Sequence, residues 1–363
     1  MSGHATRSGL PRYGATRDEL VALFAGMGQP RYRAVQLHEG LWAQRRPLEA
    51  LTPLPRILRD ELALRLPLSL ASVLERSGDG GLTTKWLWQV SGAAPDQRHQ
   101  VETVLMRSAR RATVCVSSQA GCAMGCVFCA TGQGGFARHL DPVEIVEQVV
   151  RAQHGCAPRI GNVVFMGMGE PLANLDAVEP ALRQLHSDLA LSARHLTVST
   201  VGIVPGIERL TEFELPVTLA VSLHAPDDAL RDMLVPVNRR YPIAAVLDAA
   251  RAYAAVKGRR VTFEYACIAG VNDHVHLAAA LAAKLFGFPG GAHVNLIPLN
   301  TTPGYPGSGS GAARVTAFAR RLRAHGVNAT VRRNRGTDID AACGQLRSHP
   351  SADHGLDLRE FTS

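Results

Sequence analysis

Three cysteines stand at one short spacing, Cys122-Ala-Met-Gly-Cys126-Val-Phe-Cys129, with glycines at 121, 125 and 132 around them. Three thiolates in so short a loop can converge on one metal centre. A structural zinc wants four ligands and usually takes them from paired CxxC knuckles. A [4Fe–4S] cube held by three cysteines instead leaves one iron without a protein ligand. That iron can chelate a small molecule through an amino and a carboxylate group. A zinc site and three buried thiols are the alternatives. Cys115, Cys156, Cys267 and Cys343 bring the total to seven. An odd number in a chain of 363 residues argues against a disulfide framework and for a reducing compartment.

Other residues offer polar chemistry with less local specificity. Gly167 and Gly169, within Phe165-Met-Gly-Met-Gly-Glu-Pro-Leu, permit close backbone approach next to the Glu170 carboxylate. Ser199, Ser222-Leu223-His224 and Asn300 lie at or just inside the ends of predicted strands. Glu102 falls in a β-rich run, where a single carboxylate is ordinarily solvated. Cys156 and Cys267 match no motif and read as buried structural thiols.

Composition sets the class. Hydrophobic residues make up 46% and charged residues 19%, which excludes a disordered or fibrous chain. The N-terminus lacks an apolar secretory region, and no uncharged run approaches the ~18–20 apolar residues of a membrane span. The expectation is a cytoplasmic protein that makes no use of a membrane. Of the net +8, +6 lies in residues 1–111 and +7 in residues 301–337, leaving −5 elsewhere. Positive flanks around an acidic middle suit a polyanion held from two sides. The arginine-rich N-terminal helices and the stretch from Arg314 to Arg335 are the candidates for phosphate contacts. Trp42, Trp86 and Trp88 read as filling the small N-terminal core, with stacking on nucleic-acid bases as the alternative.

The elements that must position these residues change character along the chain. Helical spacing covers 17–27, 32–44 and 56–65, with Pro53 and Pro55 as breakers. β-rich runs follow at 85–90 and 100–106. From residue 111 onward, β runs at 111–117, 162–168, 195–200, 217–224, 261–268, 293–300 and 328–333 alternate with helices. The helix from 142 is opened by Asp141 as N-cap with Pro142 at N1. This alternation predicts a parallel sheet with right-handed crossovers. About six units are too few for a closed eight-fold barrel, so a partial (β/α)6 barrel is expected, with a doubly wound sheet as the runner-up. The domains expected are a helical N-terminal accessory domain (1–80), a β extension (81–110), the partial barrel (111–346) and an unstructured tail (347–363).

The CxxxCxxC loop resembles the signature of the radical S-adenosylmethionine (SAM) superfamily. Arg111-Ala-Thr-Val-Cys-Val-Ser-Ser-Gln-Ala-Gly, Val101-Glu-Thr-Val, the Phe165 segment and Asp338-Ile-Asp-Ala-Ala-Cys-Gly-Gln-Leu narrow the resemblance to the RlmN family. It runs from about residue 17 to 346. The family comprises dual-specificity methyltransferases acting on C2 of adenine in 23S rRNA and tRNA, by resemblance adenosine-2503 and adenosine-37. The resemblance implies a TIM-like radical SAM barrel, a [4Fe–4S] cluster on Cys122, Cys126 and Cys129, and two SAM per turnover. It implies SAM contacts from Gly169, Glu170, Ser199, Ser222, Leu223, His224 and Asn300, with Glu170 accepting from the methionyl ammonium. Cys343 matches the methyl-accepting cysteine, Cys115 its partner in a transient disulfide, and Glu102 the proton acceptor. A low-potential electron donor such as flavodoxin or ferredoxin, an RNA partner and a monomeric enzyme are also implied. The related C8-adenine methyltransferase that confers antibiotic resistance shares the motifs. Gly169-Glu170-Pro171 and Ala341-Ala342 before Cys343 lean toward the C2 enzymes.

Overall fold

The computed structural model describes residues 10–91, 98–332 and 335–346. Arg333 and the tail expected to be unstructured lie outside the described residues. Three helices come first: α1 (Arg17–Gly26), α2 (Arg31–Trp42) and α3 (Arg56–Arg65). Thr16 caps α1 in a reciprocal box with Glu19, and Pro30 and Pro55 precede the other two. Each helix buries one apolar stripe, represented by Leu20 and Phe24, Leu37 and Leu41, and Leu58 and Leu62. These side chains join one continuous core with the sheet that follows.

Among the described residues that sheet has ten strands. β1 (Ala71–Gly78), β2 (Thr83–Ser91), β3 (Arg98–Ser108) and β4 (Arg111–Cys115) pair antiparallel in sequence order. A small hairpin, β5 (Gln119–Gly121) and β6 (Phe136–His139), brackets the cysteine loop and α4 (Ala130–Gln133). From β4 the main sheet continues in parallel through β7 (Ile160–Phe165), β8 (Leu196–Thr200), β9 (Thr218–Ser222), β10 (Val261–Cys267), β11 (Ala292–Pro298) and β12 (Asn328–Val331). The six crossovers carry α5 (Pro142–Gln153), α6 (Leu175–Ser187), α7 (Val204–Glu212), α8 (Asp228–Leu234) with α9 (Ile243–Lys257), α10 (Val275–Leu285) and α11 (Ala312–Ala324). The expected partial six-unit barrel is therefore the observed architecture. The parallel strands carry buried apolar runs because helices cover the outside, as with Leu219, Ala220 and Val221 in β9. Asp141 begins α5 as expected, its amide donating to Glu144 Oε2 at 2.9 Å.

Among the described residues the sheet does not close: β1 and β12 are its two edges. Residues 336–346 run back from the β12 end to the antiparallel strands. The Gly336 amide donates to Asp79 Oδ2 at 2.7 Å, and the Asp79 amide donates to Asp338 Oδ2 at 3.1 Å. The chain segment carrying Cys343 is thus tied to the β1–β2 turn.

The sequence reading does not include β1. Most of this strand's residues are exposed, so it shows no apolar alternation, and it is held by its ladder to β2. Trp42 and Trp88 are buried, while Trp86 is half-buried and stacks on Trp88.

Candidate active site

The cysteine loop leaves β5 through Gly121, whose φ is +75° and whose missing Cβ would lie 2.1 Å from the Gly135 carbonyl oxygen. Only glycine fits that crossing of hairpin strands. Beyond it, the Cys122 amide donates to the same Gly135 oxygen at 2.7 Å. Cys126 and Phe128 then pack with Leu234, Val235, Ala266 and Ile268 in a separate apolar cluster. Burial pushes the Cys122 thiol up to about 12 and Cys126 well above its ordinary value, and the neighbouring thiols and Glu170 add to both shifts. Cys122 and Cys126, so desolvated, need a cationic group before they can exist as thiolates. Among the described residues, no three His, Cys, Asp or Glu side chains are gathered to hold a single metal ion. The donor set fits a three-cysteine cluster.

Next to this loop, at the C-terminal ends of the parallel strands, lies an open cavity of about 900 Å³. Its wall includes Cys126, Cys129, Gly169, Glu170, Ser199, Ser222, His224 and Asn300, so the structure gathers nearly all the predicted cofactor residues. Gly169 has φ +97°, and a Cβ there would meet Gln119 Cβ at 2.5 Å. Glu170 accepts from the Leu172 amide at 3.0 Å and the Val201 amide at 2.9 Å, yet burial still pushes its carboxyl up to about 7. A cationic ammonium beside it would restore the charged form. His224 has φ +61° and accepts the Ala266 amide on Nδ1 at 3.0 Å. Burial, with Arg231 adding, drops its pKa to about 3 and keeps the imidazole neutral. Leu223 is the exception among the predicted contacts. Its side chain is in the core, its amide donates to Glu264 O and its carbonyl accepts from Arg231 Nε.

Cys115 ends β4 and Cys343 sits in the C-terminal loop, and both line a second cavity of about 1150 Å³. Both are free thiols, as are the other five. Burial pushes Cys115 up to about 12, with the Cys343 sulfur adding and Arg332 opposing. Arg332 lines both cavities with Cys343, Met166 and Ile297, so the two spaces meet there. The outer wall of the second cavity carries Arg107, Arg111 and Arg335. Glu102 is buried, and its Oε1 lies 2.9 Å from Lys85 Nζ.

Some expectations need correction. Arg332, read as a phosphate contact, is half-buried and faces Cys115, Cys343 and Glu264. Arg314 is paired with Asp273 at 3.1 Å, and Arg323 donates to the Ala329 carbonyl. Arg320 and Arg321 remain exposed on α11. Cys267 is buried, but Cys156 only half so. Sequence reasoning also missed Arg231. Buried in α8, it donates to the carbonyls of Val201, Ser222 and Leu223 and so ties the ends of β8 and β9 together. Nothing local marks it, because its partners are up to thirty residues away.

Residues 116–281 match the model of the radical SAM superfamily. A probable dual-specificity RNA methyltransferase RlmN of Frankia alni is 52% identical, covering 93% of this chain and 82% of its own. The RlmN relative of Chloroflexus aurantiacus is 48% identical over 93% of both chains. A crystal structure of a radical SAM methyltransferase from Sphaerobacter thermophilus superposes with a TM-score of 0.85 at 47% identity, covering 93% of this chain and 99% of that one.

Proposed function

Because the chain belongs to the RlmN family of radical SAM RNA methyltransferases, we propose that it methylates C2 of adenine in 23S rRNA and tRNA, at adenosine-2503 and adenosine-37. C2 lies between two ring nitrogens and is electron-poor, so it does not attack a sulfonium methyl as an amine does. A carbon radical adds to it instead. The observation that carries this reading is the meeting of two cavities at Cys343: one has the cysteine loop and Glu170 in its wall, the other has Cys115.

Cys122, Cys126 and Cys129 would hold the cluster, and Glu170, Gly169, Ser199, Ser222, His224 and Asn300 would hold SAM. When bound, the cluster and SAM would supply the one-electron chemistry, removing hydrogen from a methyl group and accepting the odd electron afterwards. The protein's own residues do the rest. Cys343 Sγ takes a methyl group from a first SAM, and after hydrogen loss its methylene carbon bonds to C2. Glu102 takes the C2 proton. The Cys115 thiolate then attacks Cys343 Sγ, the carbon–sulfur bond breaks toward carbon, and a proton completes the new methyl group. The resulting Cys115–Cys343 disulfide is reduced by an external dithiol before the next cycle. Arg332 stands where it can stabilise the attacking thiolate.

The second cavity, with Arg107, Arg111 and Arg335 outside and the cysteine pair inside, suits a base turned out of its stack with phosphates left at the rim. The exposed arginines of the N-terminal helices, Arg17, Arg31 and Arg56, would extend that grip as an RNA-binding accessory region. The reading places the enzyme with its RNA in the cytoplasm, as a monomer served by a flavodoxin or ferredoxin.

The test is anaerobic reconstitution with iron and sulfide, then reaction with SAM, a low-potential reductant and an RNA hairpin. Digestion and mass spectrometry should find 2-methyladenosine. 8-methyladenosine alone would overturn the C2 reading, and a colourless protein with one zinc would overturn the enzyme mechanism.

A further inference from the structure

We infer that Lys85 is a positioning residue for proton removal, holding the Glu102 carboxylate in place against the loop that carries Cys343. The inference rests on the reading of Glu102 as the base. Lys85 Nζ lies 2.9 Å from Glu102 Oε1, with side chains 10% and 5% exposed. The same ammonium donates to the Asp340 carbonyl at 3.0 Å. Asp340 is three residues before Cys343. One cation therefore touches both the base and the loop that delivers the methylene carbon.

Strand register explains how residues so far apart in sequence meet. Lys85 on β2 pairs with Val104 on β3, and Val104 pairs with Cys115 on β4. Side chains alternate along a strand, so Glu102 shares the Val104 face. Lys85, Glu102 and Cys115 then project from one side of three adjacent strands. The loop 336–346, latched by Asp79, lies over that side and supplies the Asp340 carbonyl.

Stability alone does not explain the pair. Replacing a buried ion pair by apolar residues of similar volume is often neutral or stabilising. Composition sharpens the point, because the chain has 36 arginines and only three lysines. Lys257 and Lys284 lie in the last turns of α9 and α10. Lys85 alone is buried within the sheet. A guanidinium presents a rigid planar fork, which favours a two-point clamp on one carboxylate. An ammonium is a compact point charge that can touch a carboxylate and a carbonyl at once. In the step concerned, the C2–H bond breaks, the proton passes to the Glu102 carboxylate and the bonding pair stays with the ring. Lys85 takes no proton; it fixes where the carboxylate stands when the Cys343 loop is docked.

The test compares Lys85→Met, Lys85→Arg and Glu102→Gln in the full chain with its cluster, SAM and an RNA hairpin. Three quantities are read: methyl mass on Cys343, covalent protein–RNA adduct on a denaturing gel, and released methyladenosine. Lys85→Met should load methyl at the wild-type rate yet accumulate adduct and release product roughly 100-fold more slowly, the scale of a misplaced general base. Lys85→Arg should recover about tenfold of that loss, since it restores the charge but not the shape. Wild-type product release by Lys85→Met overturns the inference. So does equal loss of methyl loading and product, or an arginine variant no faster than the methionine one. If Glu102→Gln turns over normally, the reading of Glu102 fails instead. Should Lys85→Met not fold, Lys85→Gln removes the charge but keeps a donor for Asp340, and its adduct-to-product ratio decides in the same way.

Discussion

The side-chain amide of Asn300 donates to the carbonyl oxygen of Cys343 at 3.0 Å. Asn300 follows β11 at the rim of the cavity lined by Glu170 and His224, so a residue of that rim also fixes the backbone of the Cys343 loop. The loop has further anchors: the Ala130 amide donates to Gly344 O at 2.8 Å, and Thr131 Oγ1 donates to Leu346 O. Cys343 is therefore held from both the cysteine-loop side and the β11 side.

Asn300→Leu removes one of these anchors at nearly constant volume. A hydrogen bond contributes on the order of 1 kcal/mol net, so methyl loading of Cys343 should slow about five- to tenfold. Intact mass over a time course checks it. Loading at the wild-type rate would show that the other anchors suffice.

Arg332→Leu removes the cation that faces both Cys115 and Cys343. The Cys115 thiol, already pushed up to about 12, then loses the one charge that lowers it. Disulfide formation under mild oxidation should slow by at least about tenfold, which corresponds to one pKa unit. Free-thiol counting measures it. An unchanged rate would remove Arg332 from the thiol chemistry.

His224 gives a pH signature. Its pKa is near 3 in the folded protein against the ordinary 6.5, so between those values the unfolded chain binds more protons. Stability tied to this group is complete above pH 6.5 and is lost as pH falls toward 3. At pH 5 the loss is about 2 kcal/mol. His224→Gln should flatten the acid side of a melting-temperature profile, and the wild-type imidazole should not titrate by NMR between pH 8 and 5. Titration near 6.5 would refute the assignment.

Gly121→Ala places a methyl group 2.1 Å from the Gly135 oxygen and strains a φ of +75°. The substitution should cost at least about 1 kcal/mol from the backbone alone and lower the iron bound on reconstitution. Full iron content with an unchanged melting temperature would show that the hairpin shifts freely.

What the sequence made legible was local. The cysteine triplet, the Gly169-Glu170 segment and the strand ends are contiguous strings, and the alternation of β runs with helices fixed the barrel. Lys85, Arg231 and Glu264 escaped because each acts across the fold. Lys85 meets Asp340 at 255 positions' separation, and Arg231 reaches Val201 at thirty. Glu264 sits in the otherwise apolar β10 beside Asn295 of β11, a pairing that appears only once strand order is known. Arg332 shows the opposite error. Its neighbours in sequence are basic, so charge counting placed it with solvent-facing phosphate contacts, whereas burial turns it toward the cysteines.

The bond from the Gly336 amide to Asp79 joins positions 257 residues apart. Closing so long a span has a high entropic cost and gains little until the strands at both ends exist. The strap is therefore expected to dock late in folding, after the sheet whose open edges it bridges. A half-folded chain would then carry the Cys122–Cys129 loop with no Cys343 seated beside it. Pulse-labelled hydrogen exchange at the Gly336 amide should show protection arriving after that of β8 and β9; simultaneous protection would refute this order.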